Sequence, residues 1–96
     1  MRIKILDAAE KDLEEGYLFY ESRKPGLGSY FLDSLYADID SLAYFGGIHM
    51  MVFGYHRLLA KRFPFAVYYR VIDNAVVVFA VLDCRRTPSW MRERLR

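Results

Sequence analysis

Cysteine is almost missing from this sequence, as are several features that would mark other classes of protein. Cys84 is the single cysteine among 96 residues, so no disulfide can form within the chain. No apolar segment approaches the roughly 20 residues that a membrane-spanning helix requires. The N-terminal stretch turns acidic after Leu6, unlike a secretory signal peptide. We therefore expect a cytoplasmic protein without a membrane association.

Motifs that bind cofactors or metals are lacking too. The chain has no phosphate-binding loop, no GxGxxG motif and no zinc-type spacing of cysteine and histidine. Its two histidines, His49 and His56, are seven residues apart, with no cysteine or clustered carboxylate beside them. No Ser-His-Asp or Cys-His arrangement is apparent. Arg85 beside Cys84 could lower the pKa of the thiol, but a buried structural cysteine is the alternative. The sequence predicts neither a cofactor nor a metal site.

The composition is that of a folded domain. Hydrophobic residues make up 54% of the chain and charged residues 27%, which supports one domain over residues 1–96. The net charge of +2 does not by itself indicate nucleic-acid binding. Acidic residues dominate 7–40, however, and most basic residues lie in 57–96. This asymmetry predicts a basic functional surface in the second half, with ordinary solvated charge as the alternative.

The first half of the chain reads as a strand followed by two helices. Residues 2–6 alternate between polar and apolar, which is typical of a strand. Asp7 and Glu10 resemble a capping box, with Asp7 as the N-cap of the first helix. Pro25 and its flanking glycines end that helix, and a second helical pattern runs from about residue 28 to 45. The short connection predicts an antiparallel helical hairpin. Residues 46–55 read as a loop with apolar anchors.

The second half reads as a three-stranded antiparallel meander and a short C-terminal helix. We expect strands over 56–62, 65–72 and 75–84, with Asp73 and Asn74 as a two-residue turn. Thr87 or Ser89 would cap the final helix. The fold class is therefore α+β. If the N-terminal strand pairs beside the apolar 75–84 strand, that strand becomes an interior one, but the pattern leaves the strand order open.

Regular alternation divides the meander into two faces. One face is apolar, and the helical hairpin should cover it: Phe65, Val67, Tyr69, Val71, Val76, Val78, Ala80, Leu82 and Cys84. The other is mixed: Ala66, Tyr68, Arg70, Ile72, Val77, Phe79, Val81, Asp83 and Arg85. Leaving its three large apolar residues on the last strand in water would forgo about 5–9 kcal/mol. We expect a protein partner or self-association there, through Tyr68, Val77, Phe79, Val81, Arg86 and Trp90. The alternative is that the C-terminal helix and the 46–55 loop cover this face.

Four cations are expected to converge on the mixed face. With Leu58 directed at the helices, the pattern places Arg57, Lys61, Arg70 and Arg85 on one surface beside Tyr68. Such a set could bind a phosphodiester backbone or stabilise the transition state of a metal-independent nuclease, with a Tyr or Lys as acid or base. Alternatively, Arg70 and Arg85 simply pair with Asp83 and Asp73.

Three stretches carry a resemblance to a known family: KPGLGSYFLDSL (24–35), HRLLAKRFPFAVYYRV (56–71) and VVVFAVLDCRRTPSWMRERL (76–95). Their order and spacing resemble the RelE/ParE superfamily of bacterial type II toxins, also described as plasmid stabilisation proteins, over nearly the whole chain. The resemblance implies a growth-inhibiting toxin that forms a hetero-oligomer with a cognate antitoxin.

The resemblance leaves the target open. RelE-like members cleave mRNA on the ribosome with basic residues and a C-terminal tyrosine. Carried over by position, Arg57, Lys61, Arg70 and Arg85 would be the basic set, but Trp90 stands where the tyrosine is expected. ParE-like members poison DNA gyrase and are not enzymes, and their long helical hairpin resembles residues 7–45 here. The sequence thus favours a ParE-like toxin; a RelE-like endoribonuclease and a degenerate member that only binds its antitoxin are the alternatives.

Overall fold

The computed structural model describes residues 1–96 and contains five strands and four helices. The strands are β1 (Arg2–Ile5), β2 (Met51–Val52), β3 (Tyr55–Leu59), β4 (Phe65–Ile72) and β5 (Ala75–Asp83). The helices are α1 (Asp7–Arg23), α2 (Leu27–Asp40), α3 (Leu42–Phe45) and α4 (Pro88–Arg94). The predicted α+β arrangement of strand, helical hairpin, antiparallel meander and short terminal helix is confirmed. None of the helices combines the length and apolar character that crossing a bilayer demands.

The helical hairpin is held together at its turn and along its contact face. Glu21 accepts hydrogen bonds from the backbone amides of Gly26 and Gly28, at 2.9 to 3.1 Å. Gly26 has a φ of 89°, which explains the glycine at this turn. A Cβ atom on Gly16 of α1 would lie 2.5 Å from the ring of Phe31 on α2. The sequence therefore allows the two helices to pack closely where Phe31 is fully buried.

Two details of the helices differ from expectation. Asp7 is the first helical residue of α1, Leu6 occupies the N-cap position, and no side chain caps the helix. The Asp7 carboxylate still lies in the first turn, where negative charge is favourable. The second helical pattern divides at Ser41 into α2 and the one-turn α3. At α4 the structure selects Thr87 as the cap, because its Oγ1 accepts from the Trp90 amide at 3.2 Å.

The sheet has the order β1-β5-β4-β3-β2. β1 pairs parallel with β5 and the other neighbours are antiparallel, so β5 is an interior strand over the length of β1. Asp73 and Asn74 both have positive φ and form the predicted two-residue turn. Two boundaries were wrong: β3 ends at Leu59 rather than continuing to 62, and the 46–55 loop contains β2, which pairs with β3.

A β-bulge in β5 changes which face its second half presents. Tyr68 pairs with Ala80 and Tyr69 pairs with Val78, so Phe79 is an extra residue in β5. Beyond it the alternation is reversed relative to the prediction. Val81 joins the core beneath the helices, whereas Ala80 and Leu82 lie on the opposite face. Regular alternation could not predict this reversal, because it assumes one residue opposite one residue.

Two apolar cores result, one on each side of the sheet. The larger lies between the sheet and the helical hairpin and includes Leu13, Phe31, Leu35, Tyr69 and Val78. The smaller lies on the face away from the hairpin, which we call the open face, and consists of Tyr55, Ala66, Tyr68, Ala80, Leu82 and Leu95, with Val52, Phe79, Trp90 and Met91 packed against it.

Candidate functional site

The C-terminal helix covers most of the open face. Leu95, directly after α4, is buried in the smaller core, and Trp90 and Met91 pack against it. The Tyr55 hydroxyl donates to the Leu95 carbonyl at 3.0 Å. The chain itself therefore covers much of this face, which removes the predicted need for a partner there, and contact of a partner with the named residues stays a prediction. The alternative reading, coverage by the C-terminal helix and the 46–55 segment, matches the structure.

Tyr68 and Val81 are not available to a partner in this structure. Tyr68 lies on the predicted face but is 1% exposed, with its hydroxyl 3.7 Å from the Met91 sulfur. Burial raises the pKa of Tyr68, and nearby Arg57 opposes that shift. Val81 is 2% exposed on the helical side, because of the bulge. Val77 and Phe79 are half-buried, and Arg86 is exposed.

Only two of the four predicted cations share the open face. Arg70 lies over the Tyr55 ring, 4.0 Å from its centroid, and its Nε donates to the Gly54 carbonyl at 3.1 Å. Arg57 is opposite Tyr68 in the β3–β4 register. Arg57 also lies near Cys84. Partial burial raises the pKa of the Cys84 thiol, and the positive charge of Arg57 opposes this rise. Cys84 is exposed on this side rather than buried under the helices.

The other two cations lie elsewhere. Arg85 forms an ion pair with Asp83, with Nη2 to Oδ2 at 2.7 Å and Nε to Oδ1 at 2.9 Å. The hydrogen bond from Arg85 lowers the pKa of Asp83, and Tyr20 of α1 also lies beside the guanidinium. Lys61 follows β3, and its backbone amide donates to the buried Asp38 of α2 at 3.1 Å. The predicted convergence of four cations is therefore wrong.

A groove of about 510 Å³ lies between α1 and α4, beside the end of β5. Its accessible apolar surface comes mainly from Phe19 and Trp90, above the almost fully buried Phe65, Val81 and Leu82. Charged groups surround it: Lys11, Asp12, Glu15, Asp83, Arg86 and Arg94. The Arg86 guanidinium is 4.5 Å from the Trp90 ring centroid. We call this the α1–α4 groove. It joins Arg86 and Trp90 from the predicted partner set to residues that the sequence did not single out.

Asp12 is the main residue that sequence reasoning missed. It binds Arg94 of α4 through two hydrogen bonds, at 2.8 and 2.9 Å, and accepts from the Val81 amide at 3.0 Å. The hydrogen bonds to Asp12 raise the pKa of Arg94. No local pattern distinguishes Asp12 from the other charged residues of α1, because its partners lie 69 and 82 residues away.

One edge of β5 is open within the groove. β1 pairs with β5 only over 75–78, and α1 begins directly after β1. The Val81 amide points to this edge, since it donates to Asp12. The Cys84 amide points the other way, to the Pro64 carbonyl. Because backbone amides alternate in direction along a strand, the Asp83 amide also points to the open edge. The groove therefore offers an apolar surface, charges of both signs and a short strand edge on which the Val81 amide and the Asp83 carbonyl are already bonded within the chain.

Comparison with solved structures gives an informative similarity, whereas the other two comparisons do not. No protein-family model and no curated protein matches this chain. Among solved structures, a chain from the "Chromosomal ParDE TA system from P. aeruginosa" superposes with a TM-score of 0.73 and 22% sequence identity, over 84% of this chain and 92% of that chain. The predicted fold is thus confirmed, and this chain shares it with a chain of that ParDE system.

Proposed function

We propose that this chain is the toxin of a type II toxin–antitoxin module, acting in the cytoplasm and neutralised by a cognate antitoxin. Support comes from the similar fold of a ParDE chain, which extends over 92% of that chain. We further propose a ParE-like action on DNA gyrase, by binding rather than by catalysis. The main support for this choice is that the four predicted cations, Arg57, Lys61, Arg70 and Arg85, do not converge on one surface.

A metal-independent nuclease needs donors that converge on the phosphate. Here Arg85 is paired with Asp83, and Lys61 lies at the α2 side. Arg70 is engaged by the Gly54 carbonyl and the Tyr55 ring. The adjacent tyrosine, Tyr68, is buried beneath α4 and cannot reach a substrate while α4 is in place. These contacts favour a binding protein over a ribosome-dependent endoribonuclease.

We place the antitoxin in the α1–α4 groove, where Arg86 and Trp90 remain accessible. Lys11 and Arg86 form no salt bridge within the chain, so an acidic side chain of a partner could pair with them. The accessible rings of Phe19 and Trp90 could contact one or two large side chains of the antitoxin. The edge of β5 adds few main-chain partners, because the Val81 amide donates to Asp12 and the Asp83 carbonyl accepts from the Arg86 amide. A peptide segment with alternating acidic and apolar residues fits these features.

The test is induction of the chain alone in bacteria, followed by supercoiling and mRNA-integrity assays. We expect growth arrest, blocked supercoiling by purified gyrase at micromolar protein, and intact mRNA. The double variant Arg57→Ala/Arg70→Ala separates the alternatives, since it should abolish A-site cleavage if the open-face cations are catalytic. Normal supercoiling together with A-site cleavage that this variant removes would replace our proposal with the endoribonuclease. Harmless expression would indicate a member that only binds its antitoxin.

A further inference from the structure

The longest stretch without charge in this chain is also its most exposed apolar segment. Residues 41–56 contain no Asp, Glu, Lys or Arg, although such residues make up 27% of the sequence. Five large side chains within this stretch are 54–86% exposed: Tyr44, Phe45, Ile48, Met50 and Met51. We call them, with Val71 and Met1 at their border, the 44–51 surface.

The 44–51 surface belongs to a fixed segment. The hydroxyl of Tyr69, a fully buried residue, accepts from the Gly47 amide at 2.9 Å and lies 2.5 Å from His49 Nδ1. His56 Nδ1 donates to the His49 carbonyl at 2.7 Å. The Arg57 amide donates to the Met50 carbonyl at 3.0 Å. Because the backbone is held at several points, its apolar side chains are presented in a defined arrangement, which lowers the entropic cost of binding.

Neighbouring elements extend this surface beyond the loop. A Cβ atom on Gly47 would lie 3.8 Å from a Val71 methyl group, and one on Gly46 would lie 2.6 Å from the end of the Met1 side chain. Val71 and Met1 are themselves 40% and 39% exposed. With a large side chain offering about 150–250 Å², the exposed area is on the order of 800 Å². That exceeds the roughly 300–600 Å² of the largest patch on a typical monomer.

We propose that the 44–51 surface is the interface of a homodimer of this chain. An area of about 800 Å² per partner is what a standard stable interface buries. None of the side chains in this patch carries a charge, and the α-ammonium group of Met1 at its border donates to the Ala43 carbonyl at 2.8 Å. A partner should therefore also present uncharged side chains at the contact, since an unpaired buried charge is costly. In a two-fold dimer the patch faces itself, so this requirement is met by symmetry. Met50 and Met51 add flexible side chains that adapt to an identical opposing surface.

An antitoxin fits this surface less well than a second copy does. The unpaired cations that would attract an acidic partner, Lys11 and Arg86, line the α1–α4 groove instead. Dimerisation does not depend on the proposed toxin function, because it needs neither gyrase nor an antitoxin. The two proposals can therefore fail separately.

The experiment is the mass of the full chain, made by cell-free synthesis, measured by light scattering and sedimentation over the micromolar range. We expect the wild type at twice the 11.3 kDa monomer mass. Ile48→Glu and Tyr44→Glu should raise the dimer Kd by about a hundredfold or more, since each two-fold interface would bury two facing carboxylates. Ile48 and Tyr44 are 72% and 86% exposed, so circular dichroism should show unchanged folding.

Leu18→Glu is the matched control, since Leu18 is 57% exposed on α1, outside the surface. It should leave the dimer intact. A monomeric wild type throughout the micromolar range would overturn the proposal, as would a dimer that Ile48→Glu preserves or that Leu18→Glu dissociates equally. A monomeric wild type whose antitoxin binding is lost in Ile48→Glu would assign the surface to the antitoxin instead.

Discussion

Asp12 of α1 and Arg94 of α4 are joined by two hydrogen bonds, at 2.8 and 2.9 Å, across the width of the α1–α4 groove. Their side chains are 10% and 30% exposed, so the pair is largely shielded from water. Asp12 also bonds the Val81 amide at the open edge of β5. One carboxylate therefore connects the first helix, the last helix and the sheet.

Asp12→Ala should destabilise the protein by about 2–4 kcal/mol, because it leaves Arg94 and the Val81 amide without a partner in a partly buried place. Urea unfolding measures this change. Glu93→Ala is the control, since Glu93 pairs with Arg96 where both side chains are at least 70% exposed, and its loss should have little effect. Equal losses in the two variants would contradict the role assigned to Asp12.

Tyr69→Phe and Tyr68→Phe form a second matched pair of adjacent residues on opposite faces. The Tyr69 hydroxyl has Gly47 and His49 as partners, whereas the Tyr68 hydroxyl has the weak Met91 sulfur at 3.7 Å and the nearby Arg57 guanidinium. We expect Tyr69→Phe to cost about 1–3 kcal/mol, since it leaves the Gly47 amide unpaired, and Tyr68→Phe to cost less than about 1 kcal/mol. Thermal unfolding compares them, and the reverse order of stabilities would refute this assignment.

Stability should fall as the pH is lowered through the histidine range. Burial, together with nearby His56, lowers the pKa of His49 below 6.5. The unfolded chain therefore takes up a proton before the folded chain does, so the contribution of His49 is complete above pH 6.5 and declines as the pH falls towards the folded value. Urea midpoints measured on either side of pH 6.5 should show this decline, and His49→Gln should flatten it. An undiminished slope in His49→Gln would assign the effect to another group.

Ser34→Ala should leave stability unchanged or raise it by up to about 1 kcal/mol, because removing an unpaired buried hydroxyl removes a desolvation cost and alanine favours helix. Ser34 is 5% exposed on α2, and its hydroxyl has no hydrogen-bond partner. Ser41→Ala is the contrasting variant, since the Ser41 hydroxyl donates to the Asp38 carbonyl at 2.6 Å. Differential scanning calorimetry compares them; a clear loss in Ser34→Ala would show a hidden partner.

The sequence predicted the features that depend on neighbours along the chain. Apolar spacing located the helical hairpin, Asp73 and Asn74 marked the turn, and Thr87 was one of two expected caps. These signals are local, because a turn or a cap is decided within a few residues.

The features that failed depend on pairing between distant residues. The bulge at Phe79 is set by its opposition to Tyr68 and Tyr69, and it moved Val81 to the helical side. Lys61 does not lie on the open face, because β3 ends at Leu59 and the Lys61 amide donates to the Asp38 carboxylate. Half of the predicted cation set was therefore misplaced, although the three strands of the meander were recognised.

The position of β5 in the sheet has a consequence for synthesis of the protein. β1 leaves the ribosome long before its only neighbour in the sheet, β5, which follows some 70 residues later. The α1–α2 hairpin can form early from short-range contacts, but its apolar face stays uncovered until β4 and β5 emerge. Completion of the core must therefore wait for β5, and a nascent chain that stalls before residue 75 would expose this face to chaperones and proteases.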